Sequence, residues 1–458
     1  MKRRDFLKLS ALTSCAALMP DFLFSKEFNI EDVNFSLDDF KNNAAQTIII
    51  FMYGGASQLA GNITNIKEIE KHSQNSYYNY FRSITKTPNG FWKEAGGEYM
   101  EKLLNSGDLT IYRTCYSAIR EANNNKSHGE CTLQNQKGSF DTKGGGIISN
   151  IAEILDANGA INSNTVMPFV TMDGESNFYA EPREPLKGYL KPTAIDKNLD
   201  NPYERPYWSV RRWFYYTQKE REKENYNQSD DKGGFDPKFS IDMDKLAQKH
   251  NKSGKIKDAF AKREKLAKFI AQIKDEQTPN LGENAYPEND FSKKIETAIK
   301  LLHKNEDTKI ITLSTGGLGG WDDHSNARNY VERFENLFAS LNSAMAHLKE
   351  IGKDGKINIM LFSEFGRNVN LNSAFGWDHG NLQNVYILGG KDYFNHQGVV
   401  GETVVDVTGK LNRLWLKPKK GTYTFEPISI ASTLYKLYGI QNPNILTGGN
   451  FKSLSILS

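Results

Sequence analysis

The stretch that decides the fold runs from Ile310 to Gly390, and its centre reads LFSEFGRNVNLNSAFGWDHG, Leu361 to Gly380. The apolar run Ile357 to Phe362 has the composition of a strand and ends in Ser363-Glu364-Phe365-Gly366-Arg367. A turn then carries Asp378-His379-Gly380 ahead of another strand, Asn384 to Leu388. One strand earlier, Lys309 to Leu313 leads into GGLGGWDDH, which puts Asp322, Asp323 and His324 in a loop. Between them Tyr330, Phe334, Leu337, Phe338, Leu341, Met345 and Leu348 recur at helical spacing, and Gly352 is placed to end the helix. Helix and strand in alternation imply right-handed crossovers and a largely parallel sheet. Sites in such sheets form at the carboxyl ends of strands, where this stretch gathers its carboxylates and imidazoles.

Upstream, Thr47 to Tyr53 reads TIIIFMY, a strand covered on both faces, and it ends in Gly54-Gly55-Ala56-Ser57-Gln58. The glycines allow close backbone approach, and Ser57 is a candidate hydroxyl nucleophile on that turn. Leu109 to Arg113 and Val166 to Met172 read as further strands. His128, in the Ser127 to Cys131 stretch, is a candidate ligand for the same rim. Gly144-Gly145-Gly146 opens a helix through Ile147, Ile148, Ile151 and Leu155, and Pro427 begins a last helix through Ile430, Leu434 and Leu437. Phe291, Ile295, Ala298, Ile299 and Leu302 recur at helical spacing. The expected organisation is one doubly wound α/β domain, residues 40–458, with a mainly helical insertion at about 200–305. Within the insertion, Asn201 to Thr217 sets Tyr203, Trp208 and Trp213 beside Arg205, Arg211 and Arg212, either a binding surface or a cover over the sheet.

The chain has 458 residues, 38% hydrophobic and 25% charged, the balance of a globular protein, with a net charge of +3. No basic stripe points to nucleic acid as a partner. Lys2-Arg3-Arg4-Asp5-Phe6-Leu7-Lys8, followed by LSALTSCAALMP, resembles a twin-arginine (Tat) export signal over residues 1–25. It implies passage through the Tat translocation machinery to the periplasm. Its apolar run is too short for a permanent membrane span. Leu12-Thr13-Ser14-Cys15 also resembles a lipobox, which would make Cys15 a lipid anchor. Beyond the signal only Cys115 and Cys131 remain, able to pair in an oxidising compartment or to stay buried and free.

Asp322, Asp323, His324, Glu364, Asp378 and His379 carry nitrogen and oxygen donors suited to a divalent ion such as Zn or Mn. Such an ion acidifies bound water or polarises an ester oxygen. Arg367 could hold an anionic group bidentately, or pair with Glu364. The glycines at 316, 317, 319 and 320 match neither a phosphate loop nor a dinucleotide fingerprint.

The ordered set GGASQ, GGWDDH, SEFGR and WDHGN behind a Tat signal resembles an exported bacterial family of unknown function related to alkaline phosphatases and sulfatases. That resemblance implies an alkaline-phosphatase-like three-layer α/β sandwich, a hydroxyl nucleophile and up to two metal ions that cleave phosphate or sulfate esters. It makes Asp322, His324 and His379 one metal site, with Asp323 and Asp378 as substitutes or supporting partners. Glu364 stands where the active superfamily has a metal-binding Asp, and Ser57 is an approximate counterpart of the nucleophile. Three departures stand out: Gly54-Gly55-Ala56 replaces an acidic ligand, Phe365 replaces a metal-binding His, and Asp322 and His324 are closely spaced. The expected function is a metal-dependent hydrolase of small anionic or saccharide esters. The alternative is a periplasmic binding or assembly protein that kept the fold and lost the chemistry.

Overall fold

Gln46–Met52 forms β1, and all of its residues are buried. Ile48, Ile50 and Met52 enter one hydrophobic cluster, while Ile49 and Phe51 enter another. The two-residue period of a strand explains the split and leaves β1 with no polar face. The computed structural model describes residues 29–72, 80–81, 83–142, 144–172, 176–182, 185–195, 197, 269–274, 276–408 and 413–456. The amino-terminal signal with Cys15, the aromatic stretch 201–217 and most of the expected insertion lie outside them.

The strands that follow are β2 (Leu109–Tyr116), β3 (Phe169–Thr171), β4 (Thr193–Ala194), β5 (Ile310–Ser314), β6 (Ile357–Ser363), β7 (Gly366–Arg367), β8 (His379–Gly380), β9 (Leu382–Gly389) and β10 (Gly398–Val400). The main sheet has the order β10-β2-β9-β6-β1-β5-β3-β4. β1 lies between β5 and β6 and is parallel to both, with Thr47 opposite Ile310 on one side and Asn358 on the other. Within this sheet β9 runs against both of its neighbours, β2 and β6. β7 and β8 form a short ribbon above it, Arg367 opposite His379. β11 (Thr403–Asp406) and β12 (Trp415–Pro418) make a second ribbon.

The helices are α1 (Leu37–Asn43), α2 (Ile66–His72), α3 (Gly97–Asn105), α4 (Ala118–Ala122), α5 (His128–Lys137), α6 (Ile147–Ala157), α7 (Asp290–Lys304), α8 (Tyr330–Glu350), α9 (Ser429–Leu437) and α10 (Asn444–Thr447). Met100 of α3, Ile295 and Ile299 of α7, and Phe334 and Leu341 of α8 share a cluster with Ile48 and Ile50. Ile148 and Ile151 of α6 and Leu434 and Tyr435 of α9 share the other with Ile49 and Phe51. Two helical layers therefore enclose a sheet as largely parallel as the alternating pattern predicts, the three-layer α/β sandwich that the resemblance implies.

Three details differ from the sequence reading. β2 runs on to Tyr116 through a register shift between Tyr112 and Cys115, which a run of apolar residues does not reveal. α10 follows the helix that Pro427 begins, so α9 is not the last. α5 begins at His128 and buries Cys131, Gln134, Asn135 and Gln136, a mostly polar face without apolar periodicity. Cys115 and Cys131 are buried and free. Among the described residues no helix is long and apolar enough to cross a membrane.

Candidate metal centre

β1, β5 and β6 run parallel and end at one rim of the sheet. The loops that follow them carry Gly54 and Gly55, Asp322 and His324, and Glu364. The reversed β9 begins at the same rim, so β8 immediately before it delivers His379 there. β2 ends at this rim as well, and the first turn of α5 beyond it supplies His128. Donor atoms of His128, Asp322, His324 and His379 all lie within 4.8 Å of one another. The three rings are half-buried and Asp322 is exposed.

Hydrogen bonds fix which atoms those rings offer. His379 Nδ1 lies 2.6 Å from the carbonyl oxygen of Lys126. A carbonyl can only accept, so Nδ1 carries the proton and Nε2 of the neutral ring keeps its lone pair. Burial, with Arg367, His128 and His324 nearby, pushes the His379 pKa down to about 4 against the pull of that bond, so the ring is neutral at pH 7. His128 Nδ1 lies 2.5 Å from Glu364 Oε1. Its buried Nε2 has no hydrogen-bond partner and stands 3.3 Å from Asp322 Oδ1. His324 Nε2 is 2.7 Å from His379 Nε2 and 3.3 Å from Asp322 Oδ1. Two imidazole nitrogens at that separation need a proton or a cation between them. Burial raises the Asp322 pKa, but the Arg367 hydrogen bond and charge, with His128 and His324, hold it below the usual carboxylate range. Three imidazole nitrogens and one carboxylate oxygen, one nitrogen buried without a partner, fit a divalent ion of borderline softness.

Behind these donors lies a saturated layer. Glu364 is buried; Oε1 accepts from the Gly54 amide at 3.1 Å, and Oε2 accepts from the Thr132 hydroxyl. Its backbone carbonyl accepts from Arg120 Nη1 at 2.9 Å and Asn135 Nδ2 at 3.1 Å. Glu364 therefore orients His128 from behind and is not among the four clustered donors. Thr132 was not anticipated. It sits four residues after His128, on the same face of α5, and only recognition of that helix would have found it.

Arg367 is buried, and its guanidinium is fully used. Nε donates to Gly55 O at 2.7 Å and Nη1 to Trp377 O at 2.8 Å, while Nη2 reaches Gly54 O and lies 2.6 Å from Asp322 Oδ1. It ties the loops after β1, β5 and β6 together, so it acts as a clamp and does not face a substrate anion or pair with Glu364. A Cβ on Gly54, at φ 108°, would come within 2.4 Å of the Asp322 amide nitrogen, which explains why the β1 turn carries no side chain there.

Residues 44–404 match the family described as "Protein of unknown function (DUF1501)". The chain belongs to the DUF1501 family. No match was found among curated proteins. Among solved structures, this DUF1501 chain is similar to Ps i-CgsB in complex with k-i-k-neocarrahexaose, at 10% identity and a TM-score of 0.39, covering 89% of this chain and 75% of that one. It is also similar to the lipoteichoic acid synthase LtaP from Listeria monocytogenes, at 10% identity, TM-score 0.33, and coverage of 92% and 79%. A third is the alkaline phosphatase from the Antarctic bacterium TAB5, at 12% identity, TM-score 0.33, and coverage of 86% and 98%. Likenesses this distant transfer no activity.

The remaining expected site residues of the DUF1501 chain do not converge on the donors. Asp323 is buried and ion-paired with Arg333 at 2.5 Å; burial raises its pKa despite that arginine. Asp378 places Oδ2 2.8 Å from Arg413 Nε and Oδ1 3.7 Å from His324 Nδ1, so it steadies His324 from outside. Ser57 is buried, with Oγ accepting from the Leu59 amide at 3.4 Å and its carbonyl accepting from Tyr330 OH at 2.9 Å. It is not exposed on the turn as a nucleophile would be. Phe365 walls the centre, its ring 4.5 Å from that of His379 and 5.0 Å from that of His128.

Proposed function

We propose that this protein is an exported, metal-dependent hydrolase of phosphate, sulfate or related esters that works with a single ion site. The reading rests on the convergence of His128, Asp322, His324 and His379 donors within 4.8 Å at the sheet rim. These four side chains would hold the ion, Zn or Mn by donor chemistry. When bound, the ion supplies Lewis acidity and a water acidified toward neutral pH. The Lys126 carbonyl fixes the His379 tautomer, Glu364 orients His128, and Arg367 holds Asp322 in its charged form. Phe365 keeps bulk water from one side. In the overall reaction a water oxygen bonds to phosphorus or sulfur, the bond from that atom to the ester oxygen breaks, and the departing oxygen takes up the proton that the water gives up. No protein hydroxyl is assigned as nucleophile, because Ser57 is buried and Thr132 donates to Glu364. The Tat-type signal in residues 1–25 supports a periplasmic location.

The burial of Ser57 also favours a second reading, a binding or assembly protein that keeps the ion site without turnover. One experiment separates them: metal analysis of the purified mature protein, joined to a phosphatase and sulfatase panel on wild type and His379→Ala. The hydrolase reading expects one ion per chain and turnover that His379→Ala abolishes. A bound ion with no turnover on any ester selects the second reading, and no ion after reconstitution overturns both.

A further inference from the structure

The loop that leads to His379 carries a second feature. Asn372, Ala374 and Phe375 lie against the loop that bears His324: Asn326 N donates to Ala374 O at 2.9 Å, Ala327 N to Phe375 O at 2.8 Å, and Asn372 Nδ2 to His324 O at 2.9 Å. A Cβ on Gly376 would overlap the His324 backbone, so the two loops meet without a gap. At the tip, Phe375 has φ 59°, in the left-handed region that bulky residues rarely adopt. Its ring is stacked on Tyr80, centroids 4.8 Å apart and planes 7° from parallel. Tyr80 is in turn fixed by its hydroxyl to Asn326 Oδ1 at 2.7 Å, with the Arg328 guanidinium 5.6 Å from its ring centre. Phe375 is nevertheless 52% exposed, more than any other large apolar side chain among the described residues. A ring present only for packing gains from burial; this one is held in a disfavoured backbone conformation with a face in water.

We infer that Phe375, backed by Tyr80, is a stacking platform for a sugar ring, and that the ester acted on at the neighbouring centre is carried by a saccharide. The inference rests on the hydrolase reading for the ester and on the platform alone for the sugar. A pyranose offers C–H bonds on its flat face and hydroxyls around its edge. The platform answers with an apolar ring stacked on Tyr80, whose hydroxyl is held by the exposed Asn326 and whose ring lies near the Arg328 cation. Being open, it suits one unit of a longer chain passing over it rather than a group enclosed in a pocket. The Phe375 loop is hydrogen-bonded to the loop that bears His324, so a sugar seated on the ring lies beside a loop that supplies one of the centre's donors.

The test measures binding of wild type, Phe375→Ala, Phe375→Tyr and His379→Ala to an array of sulfated and phosphorylated oligosaccharides, with AMP and methyl phosphate titrated separately. Wild type should bind at least one anionic glycan. Phe375→Ala should weaken that binding roughly tenfold or more, the loss of one stacking contact. Phe375→Tyr should retain it, and His379→Ala should keep Phe375-dependent binding while losing the ion. Equal binding by Phe375→Ala and wild type overturns the platform, as does Phe375-dependent binding of AMP but of no glycan. Wild type that carries the ion and hydrolyses methyl phosphate yet binds no glycan overturns the sugar and leaves the hydrolase reading intact. Phe375-dependent glycan binding by a protein that takes up no ion sinks the hydrolase reading and supports the platform.

Discussion

Asp322 and Asp323 are adjacent in one loop and belong to two different regions of the molecule. Asp322 faces the cup of imidazoles with a half-exposed side chain and a depressed pKa, so it remains an available charged donor. Asp323 points the other way, is buried against Arg333, and has a raised pKa. The cup offers lone pairs with few partners, whereas Arg367 and Glu364 beneath it have their hydrogen bonds taken. A ligand site needs both: donors left open, and a second set of groups that spend their capacity holding those donors still.

Changes in the supporting layer should therefore lower stability, and changes at the cup should lower ion binding alone. The largest effect is expected for Arg367→Met, which strands the carbonyls of Gly54, Gly55 and Trp377; the metal-free protein should lose roughly 3 kcal/mol or more. Urea denaturation measures this, and Arg367→Lys should recover little, because an ammonium cannot reproduce the planar fork. Asp323→Asn should cost about 2–3 kcal/mol by leaving Arg333 without its counter-charge, with ion content unchanged in elemental analysis. A parallel loss of ion would erase the distinction drawn between the two aspartates. Glu364→Gln, at the boundary of the regions, should weaken Zn binding roughly 10–100-fold in equilibrium dialysis. The smallest effect lies far from the rim. Burial holds the pKa of His347, next to Tyr286, down to about 4 from the ordinary imidazole value of 6.5. Below pH 6.5 the unfolded chain takes up a proton that the folded one refuses, so stability present above that pH falls as pH approaches 4. His347→Gln should flatten that part of a stability–pH curve while leaving the cup untouched.

Much of the cup was legible in the sequence because strand ends are legible. Continuous apolar runs mark β1, β5 and β6, and the parallel topology they imply brings Asp322, His324 and Glu364 to one edge, whereas His379 arrives there because β9 is reversed. What the sequence could not show is which way each side chain turns once the strand stops. Within DDH the loop has no fixed period, so nothing local distinguishes the donor Asp322 from the buried Asp323. Ser57 looked exposed because small residues surround it, yet it lies under the rim against Leu59 and Tyr330. Arg367 suggested a ligand for a substrate anion, whereas its partners are the protein's own Asp322 carboxylate and carbonyls from loops more than 300 residues apart in the chain. His128 and Thr132 ride on a helix buried through polar contacts, which leaves no hydrophobic stripe to announce it.

The place of β1 in the sheet has a consequence for how the chain assembles. It is made early, but both of its edges pair with strands that end at residues 314 and 363. Until roughly four-fifths of the chain has been synthesised, a strand that is fully buried in the folded protein has no native partner on at least one side. Its pairing is thus among the most non-local in the molecule, the kind that slows folding and leaves intermediates open to aggregation. A nascent chain halted before β6 would also lack Glu364 and His379, so the step that closes the sheet is the same step that completes the cup.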